Sequence, residues 1–196
     1  MRLSQFYTFL LMISLVIFSV AARVSEHIPN VAPIAALALV AGSMVSVPLA
    51  LALPLVAMFI SDTMIGFDQI EITVAVYSCF GLIALLGHLL HGSFRPWRTI
   101  GVTVISSVLF YLVTNAAVWW WSGMYARTLD GLILSYLYAL PFFRNTLFGD
   151  MIFTFSLFLA IQYVPGLLGA RLSAKQAWQT PVTTGTPLPP PAESHN

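Results

Sequence analysis

PLALALPLVAMFISDTMIGFDQIEITVAVYSCFGLIALLGHLL, residues 48–90, contains three acids, Asp62, Asp68 and Glu71, and no lysine or arginine. The acids gather in the middle. On either side lies an apolar run, 48–66 and 70–90, each close to the ~20 residues that carry a helix through a bilayer. No water-soluble helical hairpin needs two such runs, because a surface helix is polar on one face. The stretch therefore predicts two membrane-spanning helices joined by a short acidic link. Pro48 and Pro54 punctuate the first of them, which neighbouring helices in a bundle tolerate.

Working outward, four more apolar segments are candidate spans: 5–23, 31–46, 99–121 and 145–165, the second of them short. The expected fold is an all-α membrane protein with six transmembrane helices in one bundle. The first segment, FYTFLLMISLVIFSVAA, is longer than the apolar region of a signal peptide and is followed by a poor cleavage site, so it reads as a retained helix. Between the fifth and sixth segments, GLILSYLYAL ends at Pro141 and is too short to span. It is expected as a short interfacial helix, with Tyr136 and Tyr138 at headgroup level. Residues 1–169 form the transmembrane domain in this reading. Residues 170–196, rich in Pro and Thr, are expected to be a disordered cytoplasmic tail.

Composition agrees with the hairpin. The chain is 59% hydrophobic and 8% charged, with a mean hydropathy of +0.89, against about 25% charged residues in ordinary soluble domains. The lipid membrane is its first expected partner. A net charge of +1 offers no basic stripe, so nucleic acid is not expected as a partner. A single cysteine excludes an intramolecular disulfide and any multi-cysteine metal site. No intrinsic cofactor is expected.

Lys and Arg placement sets the expected orientation, a multi-pass protein of the bacterial inner membrane with both termini cytoplasmic. Arg2, Arg95, Arg98, Arg171 and Lys175 then lie inside, and Arg23, Arg127 and Arg144 outside. The acids are more one-sided: Glu26, Asp62, Asp68, Glu71, Asp130 and Asp150 all fall at the outer ends. The inner connections, a tight 2–3 turn and the basic HGSFRPWR loop, are plain. Acids at the outer ends either solvate loops or form an outward-facing polar site over the apolar bundle.

Individual positions carry the same two readings. His27 lies just before the second helix, as a ligand contact or an exposed loop residue. That helix is rich in small residues, with Ala32/Ala36 and Ala38/Gly42 at spacings that let backbones approach closely. Asp62 follows an apolar stretch directly and sits at the rim, where it would cap a helix, pair with Arg144 or hold a ligand. Asp68 stands at the start of the fourth helix. Asn115 lies inside the fifth, as an interhelical hydrogen bonder or part of a pocket wall, just before Trp119, Trp120 and Trp121. Arg144 enters the outer leaflet with Asp150 about one and a half turns deeper, and either Asp62 or Asp150 would neutralise it. Cys79 shares a helical stripe with Asp68, Ile72 and Ala75, about 12 Å below Glu71 at 1.5 Å per residue. It is either a small core residue or a soft ligand for a metal carried by the substrate.

The segments RVSEHIPNVAPIAALALVAG, MFISD, VYSCFGLIALLGHLL, SSVLFYLVTNAAVWW and YARTLDGLILSYLYALPFFRNTLFGD, in order over roughly residues 20–155, resemble the DUF6580 family. Through it the chain resembles the S-components of energy-coupling-factor (ECF) vitamin transporters, six-helix binders that capture micronutrients from outside. A cysteine at this place in the fourth helix also resembles BtuM, a solitary S-component-like vitamin B12 transporter with an essential cysteine. The resemblance implies vitamin uptake, with cobalamin as substrate and Cys79 as axial ligand to its cobalt. It implies a substrate site drawn from Cys79, His27, Asp62, Asp68, Asn115 and Arg144. S-components dock on a shared ECF module through an Ala-x-x-x-Ala pattern in the first helix, which this chain lacks. No G-x-x-x-x-G-K-[ST] phosphate loop is present, so energy would come from a partner ATPase module, or transport would be passive. Alternatives remain open: another small substrate with Cys79 structural, a membrane enzyme, or an assembly protein. Enzymatic thiol chemistry needs a histidine beside Cys79, and His88 and His91 lie at the far end of its helix.

Overall fold

The structure is a computed structural model. It describes the backbone of residues 3–25, 31–91 and 95–179 and the side chains of 8–25, 31–91 and 95–163. The described residues form six α-helices and no strand: α1 (Leu3–Val24), α2 (Ile34–Met44), α3 (Val47–Ile65), α4 (Ile70–Gly87), α5 (Pro96–Trp121) and α6 (Leu129–Gln179). A single 3-10 turn, His88–Leu90, extends α4. Residues 1–160 make one compact unit and 161–196 a second.

Among the described residues, four segments are long and apolar enough to cross a membrane: Val47–Ile65, Ile70–Leu90, Pro96–Trp121 and Leu129–Tyr163. The quoted hairpin is therefore present as expected. The outward surface of these segments is apolar as well, with Phe59, Ile70, Val74, Ile105, Leu112 and Ile152 all exposed. In water such a surface would be costly, whereas lipid covers it without penalty.

The second segment differs from its expected length. Helix α2 has 11 residues, about 16 Å at 1.5 Å per residue, short of a bilayer core. Pro33 stands at its N-cap position, and Pro48 opens the first turn of α3 two residues after the extended Ser46, so prolines bound it on both sides. What it lacks in length it makes up in burial: every residue from Ile34 to Ser43 is buried. The bundle is built around this helix.

Small residues explain how α2 fits at the centre. A Cβ placed on Gly42 would lie 2.0 Å from the Ala84 carbonyl oxygen, and one on Gly87 would lie 2.5 Å from that of Leu39. Backbone therefore touches backbone where α2 crosses α4, a contact that only glycine permits. On α4 the buried face is Ile72, Cys79, Phe80, Ile83, Ala84 and Gly87, a helical stripe. His91 Nδ1 meets the Ser43 carbonyl at 2.8 Å, giving the end of α2 a partner for one of its free carbonyls.

The expected interfacial helix is not a separate element. Residues 131–140 and 145–163 belong to the one helix α6, and Pro141 lies inside it. Contacts with α5 bracket the proline. Tyr111 donates to the Tyr136 carbonyl at 2.7 Å, and Tyr136 donates back to that of Leu112 at 2.9 Å. The Tyr111 and Phe143 rings lie 4.6 Å apart. Packing on both sides of Pro141 holds the helix together where propensity alone would end it. Helix α6 extends to Gln179, past the expected tail boundary at 170, and residues 180–196 lie outside the described residues.

Candidate functional site

An ion pair joins three helices at the end of the bundle marked by the 66–69 link. Arg23 stands in the last turn of α1, where a cation is favoured by the helix dipole. Asp62 stands in the last turn of α3, where an anion is not, and it is buried as well, with 8% of its side chain exposed. Its needs are met by tertiary partners. One carboxylate oxygen pairs with the Arg23 guanidinium. The other accepts a hydrogen bond of 2.8 Å from the Tyr77 hydroxyl, two turns into α4. Arg23 also donates to the Ser61 hydroxyl, which itself donates back to the carbonyls of Ala57 or Met58.

Asp62 is thus brought into a site, but with a partner other than the expected one. Arg144 is exposed, and among the described residues the ion pair is the one between Arg23 and Asp62. Asp150 does not neutralise Arg144 either. It is buried and accepts a 2.7 Å hydrogen bond from Ser107. Ser107 lies near the middle of α5, about 16 Å from Pro96 along the helix. Asp150 therefore sits deep in the bundle instead of at its outer end.

The remaining expected residues are placed apart from this cluster. Asp68 is exposed, and its carboxylate accepts the Gln69 amide at 2.8 Å while its carbonyl accepts the Thr73 hydroxyl at 3.3 Å. These are local bonds in the link just before α4. The Asn115 side chain donates back to the Tyr111 carbonyl in its own helix at 2.7 Å, and its backbone carbonyl accepts Ser135 from α6 at 2.9 Å. Of the tryptophans, Trp119 is half-buried and its N–H donates to the Ala126 carbonyl at 3.0 Å, pinning the α5–α6 turn. Arg127 stacks over the exposed Trp120 at 5.1 Å. His27 lies outside the described residues.

Cys79 is fully buried, at 0% exposure, on the α4 face turned to the interior. It follows Tyr77 by two residues, so it sits about 3 Å further along the helix axis than the tyrosine that holds Asp62. Among the described residues no group of three or more His, Cys, Asp or Glu side chains gathers as a metal site.

The matched family profile covers residues 3–172, from the start of α1 into the second unit. The chain belongs to DUF6580, a family of unknown function. All of the cluster, Arg23, Ser61, Asp62 and Tyr77, falls inside the DUF6580 segment, as do Cys79 and Asp150. No curated protein and no solved structure matches the chain.

Arg23 and Tyr77 were not among the expected site residues. Their signal was present in a weak form. Arg23 ends one apolar helix and Asp62 nearly ends another at the same side of an up-and-down bundle, so opposite charges were already due to meet there. Nothing in the sequence ranked Arg23 above Arg144.

Proposed function

We propose that this DUF6580 protein captures a micronutrient outside the bacterial inner membrane and carries it inward, as an S-component-like substrate binder with both termini cytoplasmic. The observation that carries this reading is the Arg23–Asp62–Tyr77 cluster. It fastens α1, α3 and α4 at one end, directly above the turn of α4 that holds Cys79. Charged groups so near the membrane interior are costly and are kept mainly where they gate or bind. In the proposed cycle, parting this cluster frees α1 and α3 from α4, the helix that carries Cys79 on its buried face.

Cobalamin is the proposed cargo, with the Cys79 sulfur as axial ligand to its cobalt. A thiolate is a soft ligand, and coordination releases the thiol proton, so the ligand forms as the substrate arrives. Asp62 and Arg23 act as the gate. His27, Asp68 and Arg144 would serve as peripheral polar contacts, and Asn115 with Trp119 as wall. The chain carries no phosphate-binding loop of its own. Uptake is driven either by an ECF-type ATPase module or by trapping inside.

The complete burial of Cys79 beside the tight α2–α4 crossing supports a second reading. There the thiol only fills the core, and the transported substrate is another small molecule. Cys79→Ser separates the two, since serine is close in size but is not a soft donor. If cobalamin is the cargo, the purified protein shifts the visible spectrum of added cobalamin and the variant does not. The variant also fails to support cobalamin-dependent growth of a strain lacking its own importer, at unchanged expression. Normal growth on Cys79→Ser would reject the cobalt ligand and leave the second reading.

A further inference from the structure

The seam between α5 and α6 is polar where a membrane helix pair is ordinarily apolar. Thr99, Thr103, Ser106 and Ser107 lie on one face of α5, and Asp150 and Thr154 on one face of α6. All six are buried, the five hydroxyl residues at 1% exposure or less and Asp150 at 5%. The helices run antiparallel, with Ser135 bonded at the Asn115 level and Asp150 bonded at the Ser107 level. One turn further, Thr103 and Thr154 stand next to this pair, since residues four apart share a helix face.

Hydroxyls inside helices usually donate to a carbonyl three or four residues back. Ser43, Ser61, Thr114 and Thr146 do so in this bundle. Thr99, Thr103, Ser106 and Thr154 do not: their buried hydroxyl oxygens have no hydrogen-bond partner among the described residues. An unmade hydrogen bond on a buried polar atom costs about 1–3 kcal/mol. Two of them, Thr103 and Thr154, lie one turn from the Ser107–Asp150 pair, and with no Lys, Arg or His at ion-pair distance among the described residues they make with it a set of oxygen donors lacking a positive charge.

We propose that Asp150, Ser107, Thr103 and Thr154 form a binding site for a sodium ion in the middle of the bundle. The donors are all hard oxygens, which suit hard cations and not soft metals. The set carries one negative charge, so a monovalent ion brings it to neutrality, while a divalent ion would leave a net charge buried in low dielectric. Ser107 has a single proton, shared in reach between Asp150 and the Thr103 carbonyl, 3.0 Å away. With sodium on the carboxylate, Ser107 turns its proton to that carbonyl and offers its lone pairs to the ion. A proton on Asp150 would satisfy the carboxyl group alone and leave the Thr103 and Thr154 hydroxyls unmatched. All four donor residues are buried, at 5% exposure or less, which favours sodium over the larger potassium ion. The site does not depend on the identity of the transported molecule, and it offers uptake an energy source that the chain otherwise lacks.

The test uses the full-length protein in detergent with no vitamin present. Binding of radioactive sodium is measured by scintillation proximity, and melting is compared in sodium, potassium and choline chloride. Saturable sodium binding is expected, with melting raised by sodium and not by potassium. Asp150→Asn should abolish both effects. Thr103→Val and Thr154→Val, near-isosteric but without the hydroxyl, should each weaken sodium binding roughly tenfold, the ~1.4 kcal/mol of one lost ligand contact, while melting in choline chloride is unchanged or improved. The valine variants keep the test decisive if Asp150→Asn does not fold. Absence of saturable sodium binding in the wild type, equal stabilisation by potassium, or valine variants that bind sodium normally would each overturn the site. Cys79→Ser should leave sodium binding intact, so failure of the cobalamin reading and failure of the sodium site are told apart.

Discussion

Replacing Gly42 by alanine tests whether the bundle really is assembled around the α2–α4 crossing. The added Cβ would stand 2.0 Å from the Ala84 carbonyl oxygen and 2.9 Å from the Gly87 Cα. Both partners are backbone, so no side chain can swing aside. To reach ordinary contact near 3.4 Å the helices must part by more than an ångström at this point, loosening a face on which Leu39, Ile83 and Ala84 are all fully buried. Overpacking of a filled core typically costs about 1–3 kcal/mol, and alanine recovers at most about 1 kcal/mol through helix propensity. Gly101→Ala supplies the control, because a Cβ there meets nothing within 4 Å and brings only the propensity gain. The propensity gain is common to both, so we expect Gly42→Ala to be less stable than Gly101→Ala by about 1–3 kcal/mol in reversible unfolding in mixed micelles. Gly87→Ala should behave like Gly42→Ala. The double variant should cost less than the two together, since both open the same gap. Equal stability of Gly42→Ala and Gly101→Ala would refute the close crossing.

Two further predictions concern the rim. Arg23→Ala should destabilise the protein by about 1–3 kcal/mol in the same assay, between the values for exposed and buried pairs because Arg23 is partly exposed; Arg144→Ala should stay within about 0.5 kcal/mol. Equal effects of the two would remove Arg23 from the site, and an Arg23→Ala/Asp62→Ala cycle showing no coupling would do the same. For orientation, a cysteine introduced at the exposed Met124 in a Cys79→Ser background should react with an impermeant thiol reagent in intact cells, and one at the exposed Trp97 only after permeabilisation. The reverse pattern would invert the bundle.

The helices were legible wherever length and apolarity act locally. The hairpin 48–90, the α5 segment and the acidic link all follow from runs that only lipid can accommodate. Two elements did not follow, and for one reason. Pro141 and the shortness of 131–140 argue locally for a break, yet Tyr111, Tyr136 and Phe143 fix both sides of the proline to α5. Likewise the 31–46 segment reads as a weak span, while its structural role comes from what surrounds it. Contacts between residues distant in sequence decide both cases, and hydropathy along one segment does not contain them. The small-residue spacing in α2 was the exception, because close approach leaves a trace in composition: it needs small residues along the face and glycine at its tightest point.

For the site, charge was legible and pairing was not. Asp62 stood out because an acid beside an apolar run must find a partner. Choosing between Arg23 and Arg144 required knowing which helices are neighbours. Asp150 shows the same limit in depth: counted from Arg144 it is near the rim, but its bond to Ser107, near the middle of α5, puts it at mid-bundle. Once that bond is known, the threonines and serines of α5, unremarkable singly at positions 99, 103, 106 and 107, become one polar stripe that passes the only deeply buried carboxyl group among the described residues apart from Asp62. The two acids then divide by environment. Asp62 carries its own cation, Arg23, and so is suited to a gate that opens and recloses without exchanging ions. Asp150 has none among the described residues and is bonded instead to Ser107, which is where the proposed sodium ion would supply the balancing charge.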